Sequence, residues 1–266
     1  MLKIGIIGGG NMGEAFIKGL YRREKLFVCE ANPERERYLR KVYKKITIEN
    51  IENVIAGADI VIIAVKPQDL EAAFSWMRSD FSLKDKLFIS IAAGLTTKFL
   101  EEKIGSKIRK ARIIRSMPNM PALIGEGITG ICKGQYATKE DLKIAEQILK
   151  SVGQTMIIDE SMMDALTAVS GSGPAYLFYF VEMWMLAAKE LGFNEVQAKE
   201  LVYKTLIGSA HLLEKSGLDA ASLRFKVTSK GGTTAAALEV LKKKKFVGII
   251  SQALKAAQKR AAELAL

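Results

Sequence analysis

The segment that most constrains the fold is the opening one, residues 2–13, which reads LKIGIIGGGNMG. A short, almost unbroken apolar run is typical of a strand that is buried on both faces of a parallel sheet. The run leads into Gly8-x-Gly10-x-x-Gly13, and the residues after Gly13 have helical spacing. The first glycine permits a sharp turn, the second lets N–H groups approach a pyrophosphate, and the third permits close packing of the helix. The segment therefore predicts a dinucleotide site, while a tight turn alone is the simpler alternative.

Strand and helix patterns alternate over the first half of the chain. The strands predicted after the first cover residues 26–30, 46–48, 59–65, 86–91, 111–117, 125–133 and 154–159. This alternation indicates an α/β fold, a Rossmann-type doubly wound parallel sheet. Ligands of such sheets bind beyond the carboxyl ends of the strands. We therefore expect a site built from Gly8–Gly13, Glu30–Asn32, Ala64–Pro67, Ala92–Gly94 and Met117–Asn119.

The preference between NAD and NADP stays open at this level. Glu30 follows the glycines by about 20 residues, the position of a carboxylate that binds a ribose 2′-hydroxyl and favours NAD. Asn32 together with Arg35 or Arg37 would instead suit a 2′-phosphate. Asn32 is equally well explained as the cap of a helix that begins at Pro33.

Lys66 is an ionisable residue at the end of a predicted strand. It would help to hold the nicotinamide ribose or neutralise a substrate anion. An ordinary loop lysine is the alternative.

From residue 160 onward the pattern becomes helical, so we predict a dinucleotide domain over 1–159 and a helical domain over 160–266. The predicted helices cover residues 162–169, 174–191, 195–215, 220–227, 234–244 and 246–266. The segment 176–186 is apolar nearly all round, and such a helix must be buried on several sides. Since a small helical domain can hardly enclose it, we expect a dimer whose subunits share helices.

Two glycine-rich breaks interrupt the helical half. In the second, Val227–Thr234, free N–H groups of Gly232 and Thr233, the hydroxyls of Ser229 and Thr234, and a helix dipole are expected to converge. They predict a pocket for a carboxylate-sized anion. The first break, Ser170–Tyr176, is either a similar site or a plain helix start.

Composition excludes several classes of chemistry. Cys29 and Cys132 lack the spacing of a disulfide framework or zinc site, and we expect them to be small buried hydrophobes. His211 is the only histidine and falls among leucines in a predicted helix. Without a Ser-His-Asp set or a metal-ligand cluster, the chemistry must come from a cofactor. Hydride transfer to a C=N bond fits, because a protonated imine is already electrophilic and proximity supplies several kcal/mol of acceleration.

The charge and hydropathy of the chain limit the classes of partner that we expect. The formal charge of +11 is dispersed apart from Lys242–Lys245, which favours anionic substrates and phosphorylated cofactors over nucleic acid. Apolar runs are too short to span a bilayer, and Met1 leads directly into a strand, so we expect no signal peptide, no membrane span and a cytoplasmic location.

These motifs together resemble those of the pyrroline-5-carboxylate reductase family, over the full length of the chain. The resemblance rests on Gly8–Gly13, Ala64–Pro67, Ala92–Gly94, Met117–Asn119, Ser170–Tyr176 and, most specifically, Val227–Thr234. Lys230 stands where members commonly have proline, and Lys226 where they have a small polar or acidic residue.

The resemblance implies a Rossmann domain, a helical domain that forms an intertwined dimer, and often rings of dimers. It implies reduction of 1-pyrroline-5-carboxylate to L-proline by NADPH or NADH. Ser229, Gly232 and Thr233 would hold the substrate carboxylate. Thr234 would be catalytic, hydrogen-bonding the ring nitrogen and assisting its protonation. The cofactor site would be lined by Gly8, Gly9, Gly10, Asn11, Met12, Gly13, Asn32, Asn50, Ala64, Val65, Lys66, Pro67, Ile91, Ala92 and Ala93.

Two other functions compete with this one. A β-hydroxyacid dehydrogenase has the same layout but uses a lysine of the second domain as acid and base. Lys189, Lys199 and Lys204 lie on predicted helices, and none falls in a glycine-rich segment. The second competitor is a nucleotide-sensing protein that kept the fold and lost turnover.

Overall fold

The computed structural model describes residues 1–66, 69–75, 83, 85–105 and 110–264. The chain divides into two compact units. The first is Met1–Ser172 together with the chain from Ala257 onward, and the second is Gly173–Ala256. The predicted boundary at residue 159 stays a prediction.

Among the described residues of the first unit, eight strands form one sheet in the order β3-β2-β1-β4-β5-β6-β7-β8. The strands are β1 (Lys3–Ile7), β2 (Lys25–Cys29), β3 (Thr47–Ile48), β4 (Ile60–Ile63), β5 (Leu87–Ser90), β6 (Arg112–Met117), β7 (Gly127–Lys133) and β8 (Gly153–Ile157). Neighbouring strands are parallel from β3 to β6, as the alternation predicted. β7 runs antiparallel to β6 and is parallel to β8.

Helices cover both faces of this sheet, which explains the unbroken apolar runs of its central strands. Along β4, Ile60 and Ile62 belong to one cluster of buried side chains, and Val61 and Ile63 belong to the other. Since side chains alternate along a strand, burial on both faces requires an apolar residue at every position. The helices of this unit are α1 (Asn11–Leu20), α2 (Pro33–Val42), α3 (Ile51–Gly57), α4 (Leu70–Ser75), α5 (Thr97–Gly105), α6 (Lys139–Leu149) and α7 (Met163–Leu166).

The second unit is helical, as predicted. Its helices are α8 (Gly173–Glu190), α9 (Glu195–Lys215), α10 (Ala220–Lys226), α11 (Thr233–Lys243) and α12 (Phe246–Leu264), the last of which extends into the first unit. Of the α8 residues, all of them described, only Val181 and Ala188 are buried. Phe178 and Tyr179 are 57% and 64% exposed. The single chain therefore leaves the apolar surface of α8 largely uncovered.

Some local predictions differ from the structure. The predicted helix 162–169 is a short α7 followed by a π-helical turn over Thr167–Gly171, which includes the first two residues of the first glycine-rich break, Ser170 and Gly171. The structure describes α4 as far as Ser75. Cys132 is buried but Cys29 is only half-buried, and His211 lies exposed on α9. In the described part of the chain, no helix has the length and hydropathy to cross a membrane.

Candidate active site

The register of the central strands brings the predicted loops into one row. Ile7 is paired with Cys29 on one side and Ile63 on the other, and Ile63 is paired with Ser90. The next residues continue the row, because the Gly8 N–H donates to the Cys29 carbonyl at 2.8 Å and the Ala64 N–H donates to the Ile7 carbonyl at 2.8 Å. Gly8, Glu30, Ala64 and Ile91 therefore follow adjacent strands at the carboxyl edge of the sheet.

Two of the three motif glycines are required by the fold itself. Gly8 has a φ of 101°, and a Cβ atom there would lie 2.7 Å from the Ala64 carbonyl oxygen. A Cβ atom at Gly13 would lie 2.0 Å from the Gly8 carbonyl oxygen. Any side chain at either position would disrupt the contact between the glycine loop, α1 and β4.

Gly10, in contrast, is not required by the chain around it. Its φ of −62° and ψ of −171° are open to any residue, and a Cβ atom there would meet nothing within 4 Å. Gly10 is the N-cap of α1, and its carbonyl accepts the Glu14 N–H at 2.8 Å. The space over this helix N-terminus is where a pyrophosphate would be bound by backbone N–H groups. The cradle therefore fits a dinucleotide.

Glu30 is anchored by two backbone N–H groups. Its Oε2 accepts the Gly9 N–H at 2.7 Å, and its Oε1 accepts the Asn32 N–H at 2.7 Å. The carboxylate thus joins the end of β2 to the glycine loop. This is the position from which an acidic side chain meets an adenosine ribose in dinucleotide folds.

Arg35, a candidate for binding a 2′-phosphate, is engaged elsewhere. Its Nε–H donates to the Gly9 carbonyl at 2.7 Å, and its Nη2 pairs with Glu14. The hydroxyls of Tyr38 and Tyr43 each donate to Glu14 Oε1 at 3.0 Å. Burial acts to raise the pKa of Glu14, but the hydrogen bonds from Arg35 and the two tyrosines outweigh it and hold this pKa below its usual value. Glu14 is therefore a firmly ionised partner of Arg35.

The two asparagines assigned to the cofactor site both cap helices. Asn32 Oδ1 accepts the N–H groups of Glu34 at 2.9 Å and Arg35 at 3.1 Å, at the start of α2. Asn50 Oδ1 accepts the Asn53 N–H at 2.8 Å, at the start of α3. The capping interpretation of Asn32 is confirmed, and its contact with a cofactor stays a prediction.

The remaining predicted cofactor residues differ in exposure along the same edge of the sheet. Asn11 and Ala93 are exposed, Met12, Ala64, Val65 and Ile91 are half-buried, and Ala92 is buried. Lys66 is exposed after β4, and its carbonyl accepts the Asp69 N–H at 2.9 Å. Pro67 lies outside the described residues. The residues at this edge thus range from solvent-facing to buried, as in the wall of an open cleft.

The loop after β6 contacts the first glycine-rich break. Asn119 Nδ2 donates to Ser170 Oγ at 3.2 Å, while Asn119 Oδ1 accepts the Ile128 N–H at 2.9 Å. The site of a Cβ atom at Gly171 lies 2.8 Å from Cε at the flexible end of the Met117 side chain, so the two segments are in close contact. The predicted motifs Met117–Asn119 and Ser170–Tyr176 are therefore in contact with each other in the first unit.

Sequence reasoning missed a polar cluster around the buried Arg115 of β6. Thr97 donates to Glu160 through its N–H at 2.7 Å and its hydroxyl at 2.6 Å, and Arg115 Nη1 donates to Glu160 Oε1 at 3.0 Å. Arg115 is 5% exposed although it lies in β6. The available signal was Arg115 in the interior of a predicted strand, directly after Ile113 and Ile114, because a buried charge requires a partner.

The second break is placed as predicted, at the N-terminus of α11 in the second unit. Gly232 is the N-cap and has no side-chain cap hydrogen bond among the described residues. Ser229 and Thr233 are exposed, and Thr234 is half-buried in the first turn. Uncapped N–H groups of a first turn, with hydroxyls beside them and the helix dipole behind them, suit an anion.

One detail of the predicted pocket is wrong. The Gly232 N–H is not free, because it donates to the Ser229 carbonyl at 3.1 Å in a tight turn. Gly231, with a φ of 74°, supplies the left-handed residue of that turn. In this arrangement Gly232 brings its backbone close to Ser229 Oγ, only 2.4 Å from where a Cβ atom would stand.

No cluster of His, Cys, Asp or Glu that could hold a metal ion occurs in the described ranges. Burial, as the main cause, raises the pKa of Cys132 to about 12, so this thiol stays protonated and unreactive near neutral pH. Among the described residues, the two features suited to binding a cofactor or a substrate are thus the dinucleotide cradle at Gly10 and the N-terminus of α11.

Comparison with known proteins covers both halves of the chain. Residues 160–264 match the family model for pyrroline-5-carboxylate reductase dimerisation. Residues 3–94 match the family model described as NADP oxidoreductase, coenzyme F420-dependent.

Relatives also match over nearly the whole length. The chain is 39% identical to pyrroline-5-carboxylate reductase of Haemophilus influenzae, with 98% of this chain and 97% of that protein covered. It is similar to the solved pyrroline-5-carboxylate reductase of Coxiella burnetii, with a TM-score of 0.91 at 31% identity, covering 100% and 99% of the two chains. The Plasmodium falciparum pyrroline carboxylate reductase structure, which has NADP bound, gives a TM-score of 0.85 at 31% identity over 100% and 98%. With a dinucleotide cradle, a predicted carboxylate pocket and these relatives, the chain belongs to the pyrroline-5-carboxylate reductase family.

Proposed function

We propose that this protein reduces 1-pyrroline-5-carboxylate to L-proline with NADPH or NADH as the reductant. The observation that carries the proposal is the uncapped start of α11 with its serine and threonine hydroxyls. It occurs in a chain whose other unit has an open dinucleotide cradle at Gly10. Full-length relatives named for this activity support the same conclusion.

The first unit binds the coenzyme. When bound, the nicotinamide supplies a hydride to a carbon–nitrogen double bond. The glycine loop and the N-terminus of α1 bind the pyrophosphate, and Glu30 lies at the ribose position. Ala64–Lys66 and Ile91–Ala93, together with Pro67, line the remainder of the cofactor site.

The second unit binds the substrate acid. The Ser229 hydroxyl and the backbone at Gly232 and Thr233 bind the carboxylate, with charge support from the α11 dipole. The Gly232 N–H already donates to the Ser229 carbonyl. Gly232 therefore contributes to the pocket by letting the backbone approach the carboxylate closely. Lys66 of the first unit is a further candidate for neutralising the charge of the substrate.

Thr234 is the proposed catalytic residue. Its hydroxyl hydrogen-bonds the ring nitrogen, which keeps the nitrogen oriented and assists delivery of its proton. An imine that is protonated is already electrophilic, so a hydroxyl suffices where a carbonyl substrate would need a stronger acid. This explains why the site works without a histidine.

The functional assembly is a homodimer that shares helices, and it is compatible with a ring of dimers. The uncovered apolar residues of α8 support the dimer. Between α8 and α9 lies a groove of about 400 Å³ with a mixed lining of Phe178, Val181, Glu182, Met185, Leu186, Lys189, Glu195 and Tyr203. The match to the dimerisation family supports the dimer as well. We propose residue 159 as the end of the coenzyme domain, and a cytoplasmic location consistent with two free cysteines.

A steady-state assay tests the function directly. NADH and NADPH oxidation would be followed side by side with 1-pyrroline-5-carboxylate, with a 3-hydroxy acid plus NAD(P)⁺ as the comparison substrate. Proline formation confirms the proposal. Turnover of the hydroxy acid alone would instead support the β-hydroxyacid dehydrogenase. Nucleotide binding without turnover of either substrate would support the sensor protein.

A further inference from the structure

We propose that this protein discriminates against the 2′-phosphate and prefers NADH, through Glu30 and the Glu14–Arg35 pair. The inference rests on the proposed function only in taking the cradle at Gly10 to be a nicotinamide dinucleotide site. The structure of one relative has NADP bound, so the preference proposed for this protein is argued from its own residues.

Glu30 presents negative charge where an NADP site needs positive charge. Both of its carboxylate oxygens are occupied by backbone N–H groups, those of Gly9 and Asn32, each at 2.7 Å. These two bonds fix the half-buried carboxylate between the end of β2 and the glycine loop. A fixed carboxylate there can accept a hydrogen bond from a ribose 2′-hydroxyl, whereas it repels a doubly charged phosphate.

The arginine that could offset this repulsion is held away by a second carboxylate. Arg35 is paired with Glu14 and donates its Nε–H to the Gly9 carbonyl at 2.7 Å. Glu14 is in turn fixed by the hydroxyls of Tyr38 and Tyr43, both at 3.0 Å. Releasing Arg35 toward a phosphate would break this four-residue network and leave a partly buried carboxylate with less compensation.

Arg37 does not replace Arg35. Its Nε–H donates to the Pro33 carbonyl at 3.3 Å, within its own helix. Although the whole chain carries a charge of +11, the charged side chains that bond to Gly9 of the glycine loop are the carboxylate of Glu30 and the Glu14-paired guanidinium of Arg35. Local charge, rather than net charge, decides which ribose substituent is accepted.

The primary experiment is a binding titration without substrate. NADH and NADPH are titrated separately into the full-length protein, and each dissociation constant is taken from the cofactor fluorescence. We expect NADH to bind at least about tenfold more tightly than NADPH at low salt. The ratio should shrink as ionic strength rises, because the disfavoured contact is electrostatic.

Variants assign the effect to the residues. Glu30→Ser removes the carboxylate and should bring the two dissociation constants within about threefold of each other. Glu34→Ser, at an exposed position in the first turn of α2, makes the same charge change and should leave the ratio unaltered. The double variant Glu30→Ser/Glu14→Gln frees Arg35 and should bind NADPH more tightly than NADH. Thermal unfolding of each variant verifies that it is folded.

The outcomes separate this inference from the proposed function. Equal or tighter binding of NADPH by the unaltered protein overturns the inference even if 1-pyrroline-5-carboxylate is reduced. An unchanged ratio in folded Glu30→Ser also overturns it. NADH selectivity without reduction of 1-pyrroline-5-carboxylate supports the inference and overturns the function. Binding of neither nucleotide overturns both.

Discussion

At the scale of single residues, the site separates glycines that the fold requires from one that a ligand requires. Gly8 and Gly13 have backbone atoms at 2.7 Å and 2.0 Å from the place of a Cβ atom, whereas Gly10 has open space. The motif predicted a different role for each glycine: a sharp turn at Gly8, room for a pyrophosphate at Gly10 and close packing of the helix at Gly13. The tertiary contacts supply the physical reason: Gly8 meets Ala64 and Val65 in the loop after β4, far along the chain, and Gly13 meets the Gly8 carbonyl.

This difference predicts opposite phenotypes for two valine substitutions. Gly10→Val should abolish NAD(P)H binding and leave the melting temperature nearly unchanged, since the side chain fills only the space over the helix start. Gly13→Val should lower the free energy of unfolding by more than about 2 kcal/mol, because it overlaps the Gly8 carbonyl. Fluorescence titration and thermal unfolding measure the two effects. Equal destabilisation by both variants would contradict this division of roles.

Thr234 carries the residue-scale prediction for catalysis. Thr234→Ala should lower kcat roughly ten- to a thousandfold and leave the affinity for NAD(P)H nearly unchanged, because the hydroxyl acts only on the substrate ring nitrogen. Single-turnover assays and cofactor titration measure the two quantities. Thr205→Ala, at an exposed position on α9, is the matched control and should retain full activity. Lost cofactor affinity in Thr234→Ala would refute the assignment.

At the scale of elements, Glu160 connects the start of the helical half to the sheet. Its carboxylate accepts the N–H and hydroxyl of Thr97 at the start of α5 and a bond from buried Arg115 on β6. Asp164 lies 3.9 Å from Arg115 as a weaker second partner. The cluster holds the residues after β8 in place before the π-helical turn of Thr167–Gly171, where Ser170 contacts Asn119.

Glu160→Ala should therefore destabilise the first unit. Removing one member leaves a buried guanidinium with only a distant carboxylate, which costs about 2–4 kcal/mol. Chemical denaturation of the two proteins measures the difference. The matched control is Glu263→Ala, which removes the exposed pair with Arg260 and should change stability by less than about 0.5 kcal/mol. Comparable effects of the two substitutions would contradict a structural role for the cluster.

At the scale of the whole molecule, the second unit is incomplete as a single chain. Phe178, Tyr179 and Phe180 are 57%, 64% and 47% exposed on α8. Contiguous apolar surface of this kind is characteristic of a protein interface. The apolar sequence around α8 predicted a partner, and the structure identifies which side chains the chain leaves uncovered.

Phe178→Asp should shift the protein from dimer toward monomer and lower its activity. A charge placed in a buried apolar interface is left without a partner, which weakens association by several kcal/mol. Sedimentation velocity over a range of concentrations measures the change. Lys143→Glu, an exposed charge change on α6, should leave the oligomeric state unaltered. An unaffected dimer in Phe178→Asp would place the interface elsewhere.

The sequence by itself determined the order and type of the elements, the location of the glycine loop and the position of the second break at the start of α11. These follow from local rules: apolar periodicity, helix caps such as Asn32, and the freedom of glycine. Tertiary structure alone decided that β7 runs antiparallel to β6, that the Gly232 N–H is donated to Ser229, and that Glu160 neutralises Arg115. It also decided that Glu14 pairs with Arg35. Apart from the bond between Gly232 and Ser229, these contacts join residues that are far apart along the chain. Local spacing rules therefore do not predict which of them will lie close together in space after folding.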